Sequence, residues 1–112
     1  MQEHVSHILI VDDDPSVREA LVMVLRDRHI VHAVSTGAEA LAIPRENPIS
    51  AIILDEVLVG EHGLDLAPTF RAMTFAPILI LTGYSTEELA IRAVHAGVDG
   101  YLKKPMKLQV TV

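Results

Sequence analysis

The chain has 112 residues, of which 50% are hydrophobic, so it has enough apolar material for a core and we expect one domain over residues 1–112. Its formal net charge of −6 argues against binding to a nucleic-acid backbone, which depends on clustered lysine and arginine. It has no cysteine, no signal-peptide pattern at its start and no apolar run near the roughly 20 residues that span a bilayer. We therefore expect a cytoplasmic protein that contacts neither a membrane nor nucleic acid directly.

Five short apolar runs predict β-strands. They cover residues 7–11, 30–34, 51–55, 78–82 and 100–104. Several of them are continuously apolar rather than alternating, which is typical of strands in a parallel sheet that is covered on both faces.

Helical patterns lie between the predicted strands. The first starts at Pro15, a favourable first-turn residue, and Asp14 is its predicted N-cap. Thr36 and Glu39 have the spacing of a capping box, which predicts the start of a second helix. Because proline breaks the helical hydrogen-bond pattern, we expect this second helix to end early, at Pro44.

Two further helices follow. Residues 63–73 have a helical pattern, but Pro68 lies inside it and weakens this interpretation. Residues 85–97 form the clearest helical pattern, and Gly97 is expected to end it. Alternation of strands and helices predicts an α/β fold with a doubly wound, five-stranded parallel sheet.

The predicted sheet brings polar residues from separate segments to one edge, because the carboxyl ends of parallel strands meet there. These residues are Asp12, Asp13, Asp55, Thr82 and the pair Lys103 and Lys104. Carboxylate oxygens are the ligands that Mg²⁺ prefers, and the hydroxyl and ammonium groups add a donor and a positive charge. Such a set suits phosphoryl transfer, with Asp55 as the best candidate nucleophile.

The sequence resembles a response-regulator receiver domain of the CheY-like family. The segments ILIVDDDPSVRE, AIILDEVLVGEHGLDL, ILILTG and GYLKKP occur in the family's order and spacing, within about residues 7–106. The resemblance implies a flavodoxin-like sheet of strand order 2-1-3-4-5. It also implies a two-component signal-transduction switch, rather than a metabolic enzyme, that receives a phosphoryl group from a sensor histidine kinase or a phosphotransfer protein.

By this resemblance, four residues form the metal and phosphoryl-acceptor site. Asp12 and Asp13 are the acidic pair that binds Mg²⁺ or Mn²⁺, and Asp55 is both a metal ligand and the phosphoryl acceptor. Val57 is expected to offer its backbone carbonyl to the metal.

The resemblance also implies residues that respond to the phosphoryl group. Thr82 and Lys104 are expected to bond phosphoryl oxygens, while Lys103 faces solvent. Tyr101 occupies the position of the switch aromatic residue, expected to move inward together with Thr82. Pro105 is expected to be a cis-proline that positions the lysine.

Two further sets of residues concern the lifetime of the phosphorylated state and its output. By the same resemblance, Val57 and Tyr84 occupy the positions that flank the path of the hydrolytic water in this family, and neither side chain activates water well, so we expect slow self-dephosphorylation. Ala90, Val94 and Tyr101 are the candidates for contact with a partner.

The sequence departs from the family pattern at three places. Glu56 stands directly after Asp55, where an apolar residue is more usual, and Val59 replaces a common proline. The family's fifth helix is also largely missing, since residues 106–112 alternate in the manner of a strand. Truncation of the chain, cover from a fused output domain, and a homodimer whose tails pair remain alternatives.

Three other functions compete with the receiver. A haloacid-dehalogenase-type phosphatase would need an aspartate where Val57 stands, and a nucleotide or flavin site would need a Gly-rich or Ser/Thr-rich loop in place of DDDPS. A pseudo-receiver, meaning a phosphorylation-independent interaction module, usually lacks one of the site residues. The six histidines are interpreted as surface or core residues rather than as metal ligands.

Overall fold

A computed structural model describes residues 5–83 and 87–104. Its elements in chain order are β1 (Ser6–Val11), α1 (Pro15–Leu25), β2 (His29–Val34), α2 (Gly37–Glu46), β3 (Ala51–Asp55), β4 (Val57–Leu58), β5 (Glu61–His62), α3 (Gly63–Met73), β6 (Ile78–Thr82), α4 (Glu87–Ala96) and β7 (Gly100–Lys103). None of the helices in these two ranges is long and apolar enough to span a membrane.

Five strands form one parallel sheet in the order β2-β1-β3-β6-β7. This is the predicted order 2-1-3-4-5, because β6 and β7 are the fourth and fifth strands of the sheet. The predicted α/β class and the doubly wound sheet are therefore confirmed. The order reverses at β1, which pairs with β2 on one side and β3 on the other, and ligands of doubly wound sheets bind beside such a reversal, here at the carboxyl ends of β1 and β3.

Successive residues of the central strands pack into two cores, one on each face of the sheet. On one face, Leu9 and Leu54 join a large cluster with residues of α2, α3 and α4. On the other, Ile8, Ile10 and Ile53 pack against the partly buried apolar residues of α1. Both faces of β1 and β3 are thus covered, which explains why their sequences are continuously apolar.

The helix α2 passes through Pro44 and ends at Glu46, so the prediction that it ends at Pro44 is wrong. Proline there removes one late hydrogen bond, but Leu41 and Ile43 pack against the core and favour the helical conformation. The Asn47 backbone N–H still donates to the Ile43 carbonyl over 3.0 Å and completes the last turn. Tertiary packing therefore outweighs the local effect of the proline.

The helix α3 is likewise continuous over Gly63–Met73, with Pro68 in its interior. It buries Leu64, Ala67 and Phe70 in the large cluster, and Phe70 is fully enclosed. This burial stabilises the helix against the hydrogen bond that Pro68 cannot make. The pattern at 63–73 thus predicted a true helix.

A hairpin that the sequence patterns did not predict follows β3. Its strands, β4 and β5, pair antiparallel, and Gly60 at the turn has a φ of 76°, which favours glycine. A Glu61 carboxylate oxygen accepts a hydrogen bond of 2.9 Å from the Gly37 N–H at the start of α2. Negative charge is favourable at a helix N-terminus, so this contact anchors the hairpin to the start of α2.

The start of α3 approaches the end of β3 so closely that a side chain is excluded there. A Cβ atom at Gly63 would overlap the backbone carbonyl oxygen of Asp55. We expect Gly63→Ala to lower the free energy of unfolding by about 1–3 kcal/mol, because the backbone must shift to relieve the overlap. Denaturant titration measures this loss, and Gly83→Ala is a control because a Cβ there meets no atom of residues 5–83 and 87–104 within 4 Å. Equal losses in the two variants would contradict this expectation.

Candidate functional site

Four polar residues from different strands meet at the carboxyl edge of the sheet. Asp12 directly follows β1, Asp55 ends β3, Thr82 ends β6 and Lys104 directly follows β7. Asp12 and Thr82 are fully buried, and Asp55 is only 5% exposed. Burying polar groups without partners is costly, so the contacts among these side chains must offset their lost hydration.

Three carboxylates form a compact group at this edge. Asp12, Asp13 and Asp55 each offer an oxygen atom, and these atoms lie within 4.8 Å of one another. Asp12 and Asp55 are buried, while Asp13 is partly exposed and leaves the group open to solvent. Hard oxygen ligands from two or three carboxylates, with water completing the shell, are the donor set that suits Mg²⁺. The residues present therefore fit that ion.

Asp12 and Asp14, two of the three adjacent aspartates, have different surroundings. One carboxylate oxygen of Asp12 accepts a hydrogen bond of 2.9 Å from the Asp14 N–H, and the Asp12 carbonyl accepts one of 2.7 Å from Arg18. Asp14 turns away from the group and caps α1, since its carboxylate accepts from the Ser16 N–H over 2.9 Å. The predicted helix cap is thus confirmed, and Asp12 is held rigidly by local contacts.

The ammonium group of Lys104 lies between two of the carboxylates. Its Nζ atom is 2.9 Å from Asp12 Oδ2 and 3.2 Å from Asp55 Oδ1. The Lys104 N–H donates to the Thr82 carbonyl over 2.6 Å, which continues the pairing of β6 and β7 and directs the lysine to the site. Burial by itself would lower the pKa of Lys104, but its hydrogen bond with Asp12 and the two negative charges raise that pKa. Lys104 therefore stays positively charged.

The carboxyl group of Asp55 is a weaker acid than an ordinary aspartate, because its pKa is raised. Burial is the main cause, and with the neighbouring Asp12 charge it raises the pKa of Asp55 from 3.8 to about 6, against the opposing effect of Lys104. The Val57 N–H also donates to Asp55 Oδ1 over 3.3 Å and favours the ionised form. One cation thus balances only part of the charge of the buried carboxylates, and a further cation would be stabilised here.

Thr82 makes a contact that sequence reasoning missed. Its hydroxyl donates a hydrogen bond of 2.6 Å to a carboxylate oxygen of Glu56. Glu56 is the unusual acidic residue that follows Asp55, but no sequence pattern shows which way its side chain points. The only hint of this contact in the sequence was a carboxylate on the residue that follows the candidate nucleophile.

The remaining predicted residues lie around this centre. The Val57 side chain is 57% exposed on β4, and Lys103 is exposed, whereas Lys104 turns inward. Tyr101 is 40% exposed on β7, and Val94 is 74% exposed on α4. Tyr84, Pro105 and the tail at 106–112 lie outside the described residues, so the predictions for them stay predictions.

Known proteins are similar to this chain in sequence and in architecture. The sequence profile of the family described as "Response regulator receiver domain" matches residues 8–112. The chain is 38% identical over 101 residues to the DNA-binding response regulator MtrA of Mycolicibacterium smegmatis; these residues are 89% of the chain but only 44% of that relative. The chain thus spans less than half the length of this curated relative.

Solved structures with the same fold include two informative ones. The chemotaxis protein CheY4 of Vibrio cholerae matches with a TM-score of 0.86 and 27% identity, over 97% of this chain and all of that one. A Burkholderia pseudomallei response regulator, solved with a phosphorylated aspartic acid and a calcium ion, matches with a TM-score of 0.84 and 30% identity, over 94% of this chain and 63% of that one. With the profile match, the sheet order and the acidic edge, these findings show that the chain belongs to the response regulator receiver domain family of two-component systems.

Proposed function

We propose that this chain is a phosphorylation-driven switch in which Asp55 accepts a phosphoryl group from the phosphohistidine of a sensor kinase or phosphotransfer protein. The observation that carries the proposal is the position of Lys104 Nζ, 2.9 Å from Asp12 and 3.2 Å from Asp55, beside a group of three carboxylates. A cation next to a buried nucleophile and an open acidic group is the arrangement that phosphoryl transfer needs.

In this proposal Asp55 is the nucleophile. Its oxygen forms a bond to phosphorus while the bond between phosphorus and the donor's imidazole nitrogen breaks. With a pKa of about 6, Asp55 is mostly ionised at neutral pH, as attack requires. Lys104 is already close enough to pair with a phosphoryl oxygen on Asp55. Its charge then stabilises both the transfer and the product.

Asp12, Asp13 and Asp55 would hold Mg²⁺, or Mn²⁺, through their carboxylate oxygens, with the Val57 carbonyl as a further ligand. When bound, the ion supplies positive charge that neutralises the phosphoryl oxygens. The Burkholderia pseudomallei relative, with its phosphorylated aspartic acid and calcium ion, supports this assignment.

The product of the transfer is a conformational state. The phosphoryl group would favour an arrangement in which Thr82 and Tyr101 are drawn inward, which changes the face formed by α4 and β7. Tyr101 is partly exposed and Val94 is largely exposed, so with Ala90 they are accessible to a partner. We retain the expectation of slow dephosphorylation from Val57 and Tyr84.

The context of the whole protein belongs to the same proposal. MtrA is described as DNA-binding, but this chain corresponds to 44% of it, so any DNA contact of a longer protein is proposed to lie in a fused output domain. We also predict that residues 1–112 form a single domain with a cytoplasmic location and make no direct contact with nucleic acid or a membrane. A homodimer is the alternative context.

Two alternatives fit less well. The pseudo-receiver is disfavoured because the acidic pair, the candidate nucleophile and the lysine all meet at one edge. The phosphatase is disfavoured because Val57, which stands where that class has its acid/base aspartate, offers no carboxylate. No comparison supports either alternative.

The proposal is tested by incubating the protein with a small phosphoryl donor, with and without Mg²⁺, and weighing the intact chain. We expect a Mg²⁺-dependent gain of one phosphoryl group that is lost in Asp55→Asn. Asp14→Asn is a matched control, since Asp14 caps α1 and lies outside the carboxylate group, and it should still be phosphorylated. A folded wild-type protein that gains nothing would instead indicate an interaction module.

A further inference from the structure

The hydrogen bond between the Thr82 hydroxyl and the Glu56 carboxylate is of a strong, charge-assisted kind. The Thr82 hydroxyl is fully buried, and its oxygen lies 2.6 Å from the Glu56 carboxylate oxygen. This separation falls within the range of about 2.5–2.7 Å for hydroxyl–carboxylate bonds, which are roughly twice as strong as neutral ones. The contact therefore stabilises one orientation of the Thr82 side chain.

The backbone of Glu56 is fastened on both sides. Its N–H donates to the Leu81 carbonyl over 2.8 Å, and its carbonyl accepts from the Gly63 N–H over 2.7 Å. These bonds tie Glu56 to β6 and to the start of α3. Its carboxylate is thus presented to Thr82 by a rigid backbone, and the hydrogen bond can open only when one of the two side chains rotates.

A threonine hydroxyl has a single proton to donate, and in this structure Glu56 accepts it. For Thr82 to donate to a phosphoryl oxygen on Asp55, the bond to Glu56 must break. We propose that Glu56 is a positioning residue that latches Thr82 in the unphosphorylated arrangement and so weakens the response to phosphorylation, an inference that rests on the proposed function. Glu56 acts through Thr82 and touches no reacting atom.

The latch has a measurable consequence for the switch. A contact present in only one of two states shifts their equilibrium by the whole of its free energy. For one charge-assisted hydrogen bond, we expect about a tenfold shift toward the unphosphorylated arrangement.

The first test measures the latch in Mg²⁺-free protein by a double-mutant cycle. Unfolding equilibrium constants are compared for wild type, Glu56→Met, Thr82→Val and the double variant. We expect Thr82→Val to raise the unfolding constant about tenfold more in the wild-type background than in the Glu56→Met background. Additive effects would overturn the latch, whether or not the protein can be phosphorylated.

The second test measures binding of beryllofluoride, a phosphoryl analogue, to the whole chain with Mg²⁺. Glu56→Met should bind it about tenfold more tightly than wild type, because the latch is absent. Glu56→Gln keeps an acceptor oxygen for Thr82 while removing the charge, so its affinity for beryllofluoride should increase clearly less than that of Glu56→Met. Asp65→Asn removes an exposed charge from the first turn of α3 and should change the affinity by less than about threefold.

The possible results distinguish the latch from simple charge repulsion, and they distinguish failure of the latch from failure of the proposed function. Equal gains in Glu56→Met and Glu56→Gln would show that charge repulsion alone acts, and would overturn the latch. Binding by wild type that Glu56→Met leaves unchanged would overturn the latch but not the proposed function. An absence of binding in wild type and in every variant would overturn both, even if the unfolding cycle showed coupling.

Discussion

Lys104→Met should lower the free energy of unfolding by about 3–5 kcal/mol near neutral pH in Mg²⁺-free solution, because it leaves two buried carboxylates without their cation. The ammonium lies 2.9 Å from Asp12 and 3.2 Å from Asp55, and the lysine side chain is only 22% exposed. Loss of the ammonium group also removes an effect that lowers the pKa of Asp55, so this pKa should rise from its value of about 6. Denaturant titration measures the stability. If Asp55 accepts a phosphoryl group as proposed, phosphoryl uptake by Lys104→Met should also fall.

A matched control stands next to Lys104 in the chain. Lys103 is exposed and makes no ion pair among those found in the described residues, so Lys103→Met should change stability by no more than about 0.5 kcal/mol. Mg²⁺ should recover part of the stability of Lys104→Met, since a divalent ion at the carboxylates replaces the lost positive charge. Similar losses in the two lysine variants, or no effect of Mg²⁺, would contradict the interpretation.

Asp55→Asn should have the opposite effect and stabilise the Mg²⁺-free protein by about 1–3 kcal/mol at pH 7.5. Burial, followed by the Asp12 charge, raises the pKa of Asp55 from 3.8 to about 6 in the folded protein. A rise of that size corresponds to at most about 3 kcal/mol of unfavourable interaction for the ionised form. Asparagine cannot ionise, so the variant avoids this cost, although it loses attraction to Lys104.

The pH dependence of this difference follows from the direction of the pKa change. Folded Asp55 holds its proton more tightly than unfolded Asp55, so its contribution to stability is most favourable below about pH 4. The contribution declines as pH rises toward 6 and is then constant. The advantage of Asp55→Asn should therefore be largest above pH 6 and vanish near pH 4.

Stability curves of the two proteins between pH 4 and 8 measure this effect, and Asp65→Asn, which removes an exposed carboxylate, is the control variant. Added Mg²⁺ should reverse the order at pH 7.5, because the proposed site uses an Asp55 oxygen as a ligand. An advantage of Asp55→Asn that is independent of pH would show that the ionised carboxylate is not the cause.

Some local features did not follow from sequence patterns. Pro44 predicted an early end of α2, and Pro68 weakened the prediction of α3. Both helices nevertheless continue through their prolines, because their apolar residues pack in the core. The side chains of His7 and His32, 25 positions apart, stack with nitrogens 3.0 Å apart because β1 and β2 lie side by side. Local propensity cannot anticipate such packing, since the partners are distant in the chain.

The sequence by itself determined the alternation of strands and helices and the edge where Asp12, Asp55, Thr82 and Lys104 meet, whereas the strand order was implied by the resemblance to receiver domains. These were predictable because strand ends are marked by the change from apolar to polar residues, and parallel strands end at a common edge. Only the tertiary structure decided that Glu56 turns to Thr82 and that one ammonium lies between two carboxylates. Side-chain directions and the pKa of Asp55 depend on burial and on neighbours from other strands, which emerge only when the sheet is assembled.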